Sequence, residues 1–269
     1  MQTDMTVGKP MKMLLNFTIP VFLGNVFQQL YSMADAVIVG KFVGTKGLAA
    51  VGATGTITFL IIGFLMGVTT GVTVLTSQKF GAGRMDEMRK TVGNAAILSA
   101  VIAVVMTAVS MLGMHRLLVF MHTPEDIFDG AYGYIMIICA GIFTQVLYNL
   151  VSSILRALGN SKTPLYFLIL AAGLNIVLDL VFIIFFHWGA PGAAWATVIS
   201  QGVSGVLCLI YMWKAVPELK MKKEDWYFNR DIAVKQISVG IPMGLQYSIT
   251  AIGGMMNNLF CQTFYVFYL

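Results

Sequence analysis

The chain has 269 residues, of which 58% are hydrophobic and only 11% are charged, and its formal net charge is +5. Its mean hydropathy is +0.81, whereas a soluble domain carries about 25% charged residues. The composition therefore excludes a soluble domain and predicts an all-α, polytopic membrane protein, and the scattered cysteines and histidines argue against a disulfide framework or a metal site.

Seven apolar segments of membrane-spanning length follow one another, separated by polar connections. The first is too long for the apolar core of a signal peptide, so we expect a membrane helix there rather than a cleaved leader. The pattern predicts a six-helix lobe at residues 1–213, a basic cytoplasmic linker at 214–236 and a further helix at 237–269. The predicted segments are Leu14–Val39, Val51–Thr76, Val92–Met114, Ala131–Leu155, Pro164–Phe186, Gly192–Trp213 and Ile237–Leu269.

The basic residues predict how the chain is oriented in the membrane. Of the 17 Lys and Arg residues, fourteen lie on the side of the N-terminus and three on the other side. By the positive-inside rule, the N-terminus is expected to be cytoplasmic. Because this orientation accounts for the basic loops, no nucleic-acid partner is expected.

Two acids lie well inside apolar segments, Asp35 in the first and Asp179 in the fifth. A carboxylate at membrane depth costs roughly 2.5–3.5 kcal/mol on insertion scales, so it usually faces a wet cavity or a partner. In the predicted topology both segments run outward from the cytoplasm, and both acids lie roughly 24–32 Å along their helices. The shared depth predicts one ion- or proton-binding site formed by both acids.

Polar side chains recur at helical spacing near these acids. Asn175 precedes Asp179 by four residues, and Gln28 and Tyr31 precede Asp35 on one face of the first helix. For any single amide or hydroxyl, hydrogen bonding between helices is the simpler explanation. Further polar positions within the segments are Ser32, Gln145, Asn149, Ser152, Thr197, Ser200, Gln201 and Ser204.

Glycine and proline predict two features of the packing. Gly63, Gly67 and Gly71 repeat every fourth residue, which predicts that another backbone approaches closely along this face. Pro20 removes the hydrogen bond to the carbonyl of Asn16 and so predicts a kink in the first helix. A passive kink filled by neighbouring groups fits the sequence equally well.

The beginning and the end of the chain resemble each other at an offset of 222 residues. The matching stretches are Ile19-Pro20-Val21 with Ile241-Pro242-Met243, and Met33-Ala34-Asp35 with Met255-Met256-Asn257. We expect residues 1–222 to form one repeat and a second repeat to begin near Asp231, as in transporters built from parallel repeats. Since the second repeat ends after one helix, a C-terminal lobe is expected to be missing.

Five motifs occur in order along residues 1–260. They are Ile19-Pro20 with Asp35 and Gly40–Gly44, Ser77–Gly83, Arg156–Pro164, Leu174–Asp179 and Gly189–Ala194. Their order and spacing resemble those of the multidrug and toxic compound extrusion (MATE) transporters, in particular the DinF-like bacterial branch.

The resemblance implies a twelve-helix exporter of two six-helix lobes, in a bacterial inner membrane. It would exchange organic cations, drugs or other amphipathic compounds for H⁺ or Na⁺, with no further cofactor. The coupling site, which could also hold Na⁺, would comprise Asp35, Asn175, Asp179 and Thr197. Candidates for the substrate cavity are Gln28, Tyr31, Asn149 and Ser152, and Pro20 would be a kink that responds to protonation. The implied partners are the lipid bilayer, a small-molecule substrate and the missing lobe.

Three alternatives remain beside the exporter. A lipid-linked oligosaccharide flippase has a related architecture, but such proteins commonly carry central basic residues for pyrophosphate, and no segment here has one. An intramembrane protease could use two aspartates, but its motifs, Tyr-Asp and Gly-x-Gly-Asp, are absent around Asp35 and Asp179. An enzyme is therefore not expected. The chain could also be an inactive, truncated fragment.

Overall fold

The computed structural model describes residues 10–267, including all side chains except those of Lys223, Ala251 and residues 254–267. In this part of the chain the secondary structure is helical, without strands. The α-helices are α1 (Pro10–Phe42), α2 (Thr45–Gly81), α3 (Met85–Phe120), α4 (Glu125–Ala140), α5 (Ile142–Ala157), α6 (Lys162–Leu180), α7 (Gly189–Ala215) and α8 (Arg230–Phe267). Shorter turns are a π-helical turn at Val181–Phe185 and 3₁₀ turns at Pro217–Leu219 and Lys223–Trp226.

Five helices are long and apolar enough to cross a membrane, namely α1, α2, α3, α6 with its π-helical turn, and α7. Together, α4 and α5 form a sixth candidate span. Over the described residues, α8 is not among the helices that meet this criterion, although the sequence predicts a span there.

The span predicted at Ala131–Leu155 is found as a candidate span, but its helix is broken. The structure has two helices there, α4 and α5, which meet at Gly141 with a bend of 47°. A Cβ atom on Gly141 would lie 2.2 Å from Cγ2 of Val198 on α7. The break therefore lies where α7 packs directly against the backbone, and a side chain at this position would push the helices apart.

The helices also extend beyond the predicted apolar segments. For example, α3 begins at Met85 rather than Val92, and α8 begins at Arg230, inside the stretch predicted as linker. Hydropathy marks the part of a helix that can lie in hydrocarbon, whereas the hydrogen-bonded backbone continues into the polar boundary. The connection between α7 and α8 is therefore shorter than the predicted 214–236.

The glycine stripe on α2 packs against α8. A Cβ atom on Gly67 would lie 2.4 Å from the carbonyl oxygen of Met243, and one on Gly71 would lie 2.4 Å from Cα of Gly240. Real Cβ atoms essentially never make contacts under 3.0 Å, so only glycine allows these two backbones to lie so close. The predicted close approach is confirmed, and its partner is the part of α8 around Gly240–Gly244.

A buried polar network fixes the start of α8. Gln236 is fully buried, and its Nε2 donates to the carbonyl oxygens of Val72 at 3.1 Å and Thr91 at 2.8 Å. Its Oε1 accepts from Nδ2 of Asn94 at 3.0 Å, and Oδ1 of Asn94 accepts from the backbone N of Asn229 at 3.0 Å. Asn229 then accepts from two backbone N–H groups in the first turn of α8 and so caps this helix.

Candidate functional site

Asp35 on α1 and Asp179 on α6, here called the acid pair, lie side by side within the helix bundle. Asp179 is fully buried and Asp35 is 7% exposed. Their carboxyl groups are within hydrogen-bonding reach of each other. An ionised carboxylate only accepts hydrogen bonds, so a bond between the two groups requires a proton on one of them. In addition, Oδ1 of each carboxyl is buried and makes no hydrogen bond to any described residue. The acid pair therefore has the chemistry to hold a proton or a small cation.

Three polar side chains connect the acid pair to α7 and back to α1. The hydroxyl of Tyr31 donates to Oγ1 of Thr197 at 3.1 Å. In the amide orientation that gives both ends of Asn175 a matching partner, its Nδ2 donates to Oδ2 of Asp179 at 3.1 Å and its Oδ1 accepts from the backbone N of Thr197 at 3.3 Å. These hydrogen bonds therefore link Asp179 on α6 to Thr197 on α7 and, through Tyr31, to α1.

The local sequence explains why these groups meet. Asn175 and Asp179 are four residues apart and so project from the same face of α6. Directly after Leu180 the helix changes to a π-helical turn, a rare conformation that occurs frequently at functional sites. Thr197 lies in the third turn of α7, which packs against α6.

A cavity of about 550 Å³, here called the acid-end cavity, lies beside the acid pair. This volume is within the range of small-molecule sites, roughly 300–1,000 Å³. Of the residues predicted for the site, Gln28, Tyr31, Asp35 and Thr197 line the acid-end cavity. The wall also includes Gln145, Gln201 and Tyr134, none of which the sequence assigned to a role.

The other predicted residues lie elsewhere. Asn175 and Asp179 are fully buried behind the cavity wall. Asn149 and Ser152 are buried in α5 and are not among the residues that line the cavity, and Nδ2 of Asn149 donates to the carbonyl of Gln145 in its own helix at 2.9 Å. Pro20 is buried inside α1, which continues through it from Pro10 to Phe42.

A second cavity, of about 910 Å³, lies at the end of the bundle where α2 ends and α3 begins. This basic-end cavity shares Asn25, Met66 and Tyr247 with the acid-end cavity, so the two adjoin. Arg156, in the last turn of α5, also lines it. The sequence explained Arg156 as a topology signal, because nothing in its spacing indicates that it faces a cavity. Together the cavities form a cleft lined mainly by α1, α2, α4, α5, α7 and α8.

A bundle of long apolar helices around a cleft, with two buried carboxyl groups beside it, is the architecture expected of a membrane transporter. The chain belongs to the MatE family, whose family model matches residues 20–181. The expected membership is thereby confirmed, and members of this family are transporters rather than enzymes.

Individual relatives agree with this assignment. The chain is 33% identical over 255 residues to "Probable multidrug resistance protein YpnP" of Bacillus subtilis (strain 168), covering 94% of this chain and 56% of that protein. It is 25% identical over 266 residues to "DNA damage-inducible protein F" of Escherichia coli (strain K12), covering 92% of this chain and 56% of that protein. Among solved structures, a MOP superfamily transporter from Pyrococcus furiosus Vc1 (DSM3638) matches with a TM-score of 0.83 and 28% identity. The match covers 89% of this chain and 53% of that transporter. The chain thus spans about half the length of the relatives that it matches.

Proposed function

We propose that this chain forms one lobe of a secondary antiporter that exports organic cations, drugs or other amphipathic compounds in exchange for H⁺ or Na⁺. The observation that supports this proposal is the acid pair, which is buried, in mutual contact and adjacent to a cavity of small-molecule size. Two close carboxyl groups can hold a proton, a Na⁺ ion or the positive end of a substrate. The same two carboxyl groups cannot bind a proton, a Na⁺ ion and a cationic substrate at the same time.

This competition is the basis of the proposed coupling. Asp35 lines the cavity and can meet the substrate, whereas Asp179 lies behind the cavity wall, within hydrogen-bonding reach of Asp35. A proton or Na⁺ that neutralises the acid pair removes the negative charge that attracts a cationic substrate, and the substrate is released. A bound cationic substrate displaces the ion by the same linkage.

The neighbouring polar side chains would transmit the occupancy of the acid pair to the helices. When Asp179 loses or gains charge, its hydrogen bond with Asn175 changes in strength, since charged acceptors bind donors more strongly than neutral ones. Asn175 and Tyr31 both contact Thr197, so α1 and α7 respond together. In this scheme Pro20 is the position where α1 can bend.

The whole transporter would require a second lobe, because the substrate pathway of repeat-built transporters lies between lobes that move against each other. We place the basic end of the bundle in the cytoplasm, at the inner membrane of a bacterium, since fourteen of the 17 basic residues lie on that side. A flippase is not favoured, because no described basic residue lies midway along a span.

The test uses a fusion of this chain to the part of YpnP that lies outside the matched region, reconstituted in liposomes. An imposed H⁺ or Na⁺ gradient should drive accumulation of a cationic dye. Asp179→Asn and Asp35→Asn keep the side-chain volume but remove the titratable charge, and we expect each to abolish ion-driven accumulation. The matched control is Asp126→Asn, which makes the same change at an exposed acid. Ion-driven transport at the original rate in either buried variant would contradict the proposal.

A further inference from the structure

Arg156 is placed differently from the other basic side chains. Most basic residues with described side chains are exposed, and only Lys79, Arg89 and Arg156 are partly buried. Lys79 contacts Glu87 at 2.5 Å, and Nε of Arg89 lies 3.5 Å from a carboxylate oxygen of Asp225. Arg156 forms no ion pair with any described carboxylate.

Among the described residues, Arg156 makes a single side-chain hydrogen bond, which is long and has a neutral acceptor. Its Nη2 donates to Oγ of Ser153 at 3.4 Å, close to the limit of a hydrogen bond. A guanidinium has five N–H donors, so most of its capacity remains for another partner. A partly buried cation without a counter-charge is unfavourable, and a buried charge in a protein is generally paired. Arg156 lies in the last turn of α5, where the helix dipole favours a basic residue. The dipole does not explain why the side chain lies in a cavity wall.

The surroundings of Arg156 suit an amphiphilic ligand. The basic-end cavity combines apolar side chains, including Phe17, Val21 and Met66, with the polar groups of Asn25 and several hydroxyl side chains. It also includes the carboxylate side chain of Glu218. At about 910 Å³ it is the larger of the two adjoining cavities.

This cavity is far enough from the acid pair to bind a small ligand by itself. Val21 lines the basic-end cavity, and Asp35 follows it by 14 residues on α1. At a rise of 1.5 Å per residue, these positions are about 21 Å apart along the helix. The acid pair and the far end of the basic-end cavity therefore lie at different depths along α1.

We propose that the basic-end cavity binds amphiphilic compounds through a carboxylate or phosphate group that Arg156 holds. The planar guanidinium can donate two parallel hydrogen bonds to either group. The cleft then has an anion-binding subsite at its basic end as well as the acid pair. The ligand could be a free amphiphile or a phospholipid with an anionic headgroup, since both present the same chemistry.

The experiment compares two fluorescent probes that carry no positive charge and differ in one group, a dansyl-labelled fatty acid and its methyl ester. The full 269-residue chain, purified in a neutral detergent, is titrated with each probe, and binding is followed by fluorescence anisotropy. The variants are Arg156→Gln, Arg156→Lys and, as a control at the same end of the bundle, the exposed Lys162→Gln. Phospholipids that remain bound after purification from membranes containing phosphatidylglycerol are quantified by mass spectrometry.

For a free amphiphile, we expect the original chain to bind the acid more tightly than the ester. Arg156→Gln should weaken acid binding roughly tenfold to hundredfold, the range for a lost hydrogen bond to a charged group, and leave ester binding unchanged. Arg156→Lys, which keeps the charge but not the two parallel hydrogen bonds, should give an intermediate loss. For a phospholipid ligand, Arg156→Gln should instead reduce the retained phosphatidylglycerol.

The proposal is overturned if the original chain shows neither a preference for the acid nor retained phosphatidylglycerol. It is equally overturned if Arg156→Gln weakens acid and ester alike, since that result indicates a structural role. If Arg156→Gln does not fold, the comparison of Arg156→Lys with the original chain decides. None of these measurements involves Asp35 or Asp179, so failure here is distinguishable from failure of the proposed ion coupling.

Discussion

The close packing of α2 on α8 gives a sharp prediction for Gly67→Ala. The added Cβ would lie 2.4 Å from the carbonyl oxygen of Met243 and 2.6 Å from Cα of Gly244. Both neighbours are backbone atoms, so no change of side-chain rotamer relieves the contact. To reach even 3.0 Å, α8 must move away by about half an ångström, and the overpacking should cost about 1–3 kcal/mol.

The control for this prediction is Gly52→Ala in the same helix. No atom lies within 4 Å of the position that its Cβ would take. Both substitutions gain the helix propensity of alanine over glycine, about 1 kcal/mol, so the difference between them isolates the packing cost. Thermal unfolding of the purified proteins in detergent should show Gly67→Ala less stable than Gly52→Ala by about 1–3 kcal/mol. Equal stability, or a more stable Gly67→Ala, would refute the close packing of the two helices.

Three other substitutions test individual hydrogen bonds. Gln236→Leu leaves buried backbone and amide groups without partners and should cost about 2–4 kcal/mol in unfolding, whereas the exposed Gln78→Leu should change it by less than about 0.5 kcal/mol. Asn229→Ala removes the cap of α8 and should cost about 1 kcal/mol in the same assay. Thr197→Val removes the hydroxyl beside the acid pair and should weaken ion-driven dye transport about fivefold or more. Thr69→Val should leave that transport unchanged, because this hydroxyl bonds only within its own helix.

Much of the architecture can be predicted from the sequence, because lipid imposes a simple requirement. A spanning segment must be apolar over about 20 residues and satisfy its own backbone, so hydropathy identifies α1, α2, α3, α6 and α7. The two buried acids are conspicuous for the same reason, since charges are rare in such segments. The glycine repeat on α2 indicates close packing because its members share one helix face.

What the sequence missed depends on which helices become neighbours. Gly141 resembles any other glycine in an apolar segment, and its role is evident only when Val198 is found against it. Gln236 lies in a polar stretch that reads as linker, yet it is fully buried because α2 and α3 enclose it. The position of Arg156 in a cavity wall could not be predicted either, because a basic residue near the end of a span is expected whether or not it faces a cavity.

The most direct test of the central claim, that ion and cationic substrate compete for the acid pair, is calorimetric titration of the purified chain with tetraphenylphosphonium. The titration is repeated in buffers of different ionisation enthalpy and at increasing Na⁺ concentration. If the coupling ion is H⁺, the binding enthalpy should vary with the buffer, because binding releases protons from Asp35 and Asp179. If it is Na⁺, the apparent Kd should rise with Na⁺. Binding that releases no protons and is unaffected by Na⁺ would contradict the account.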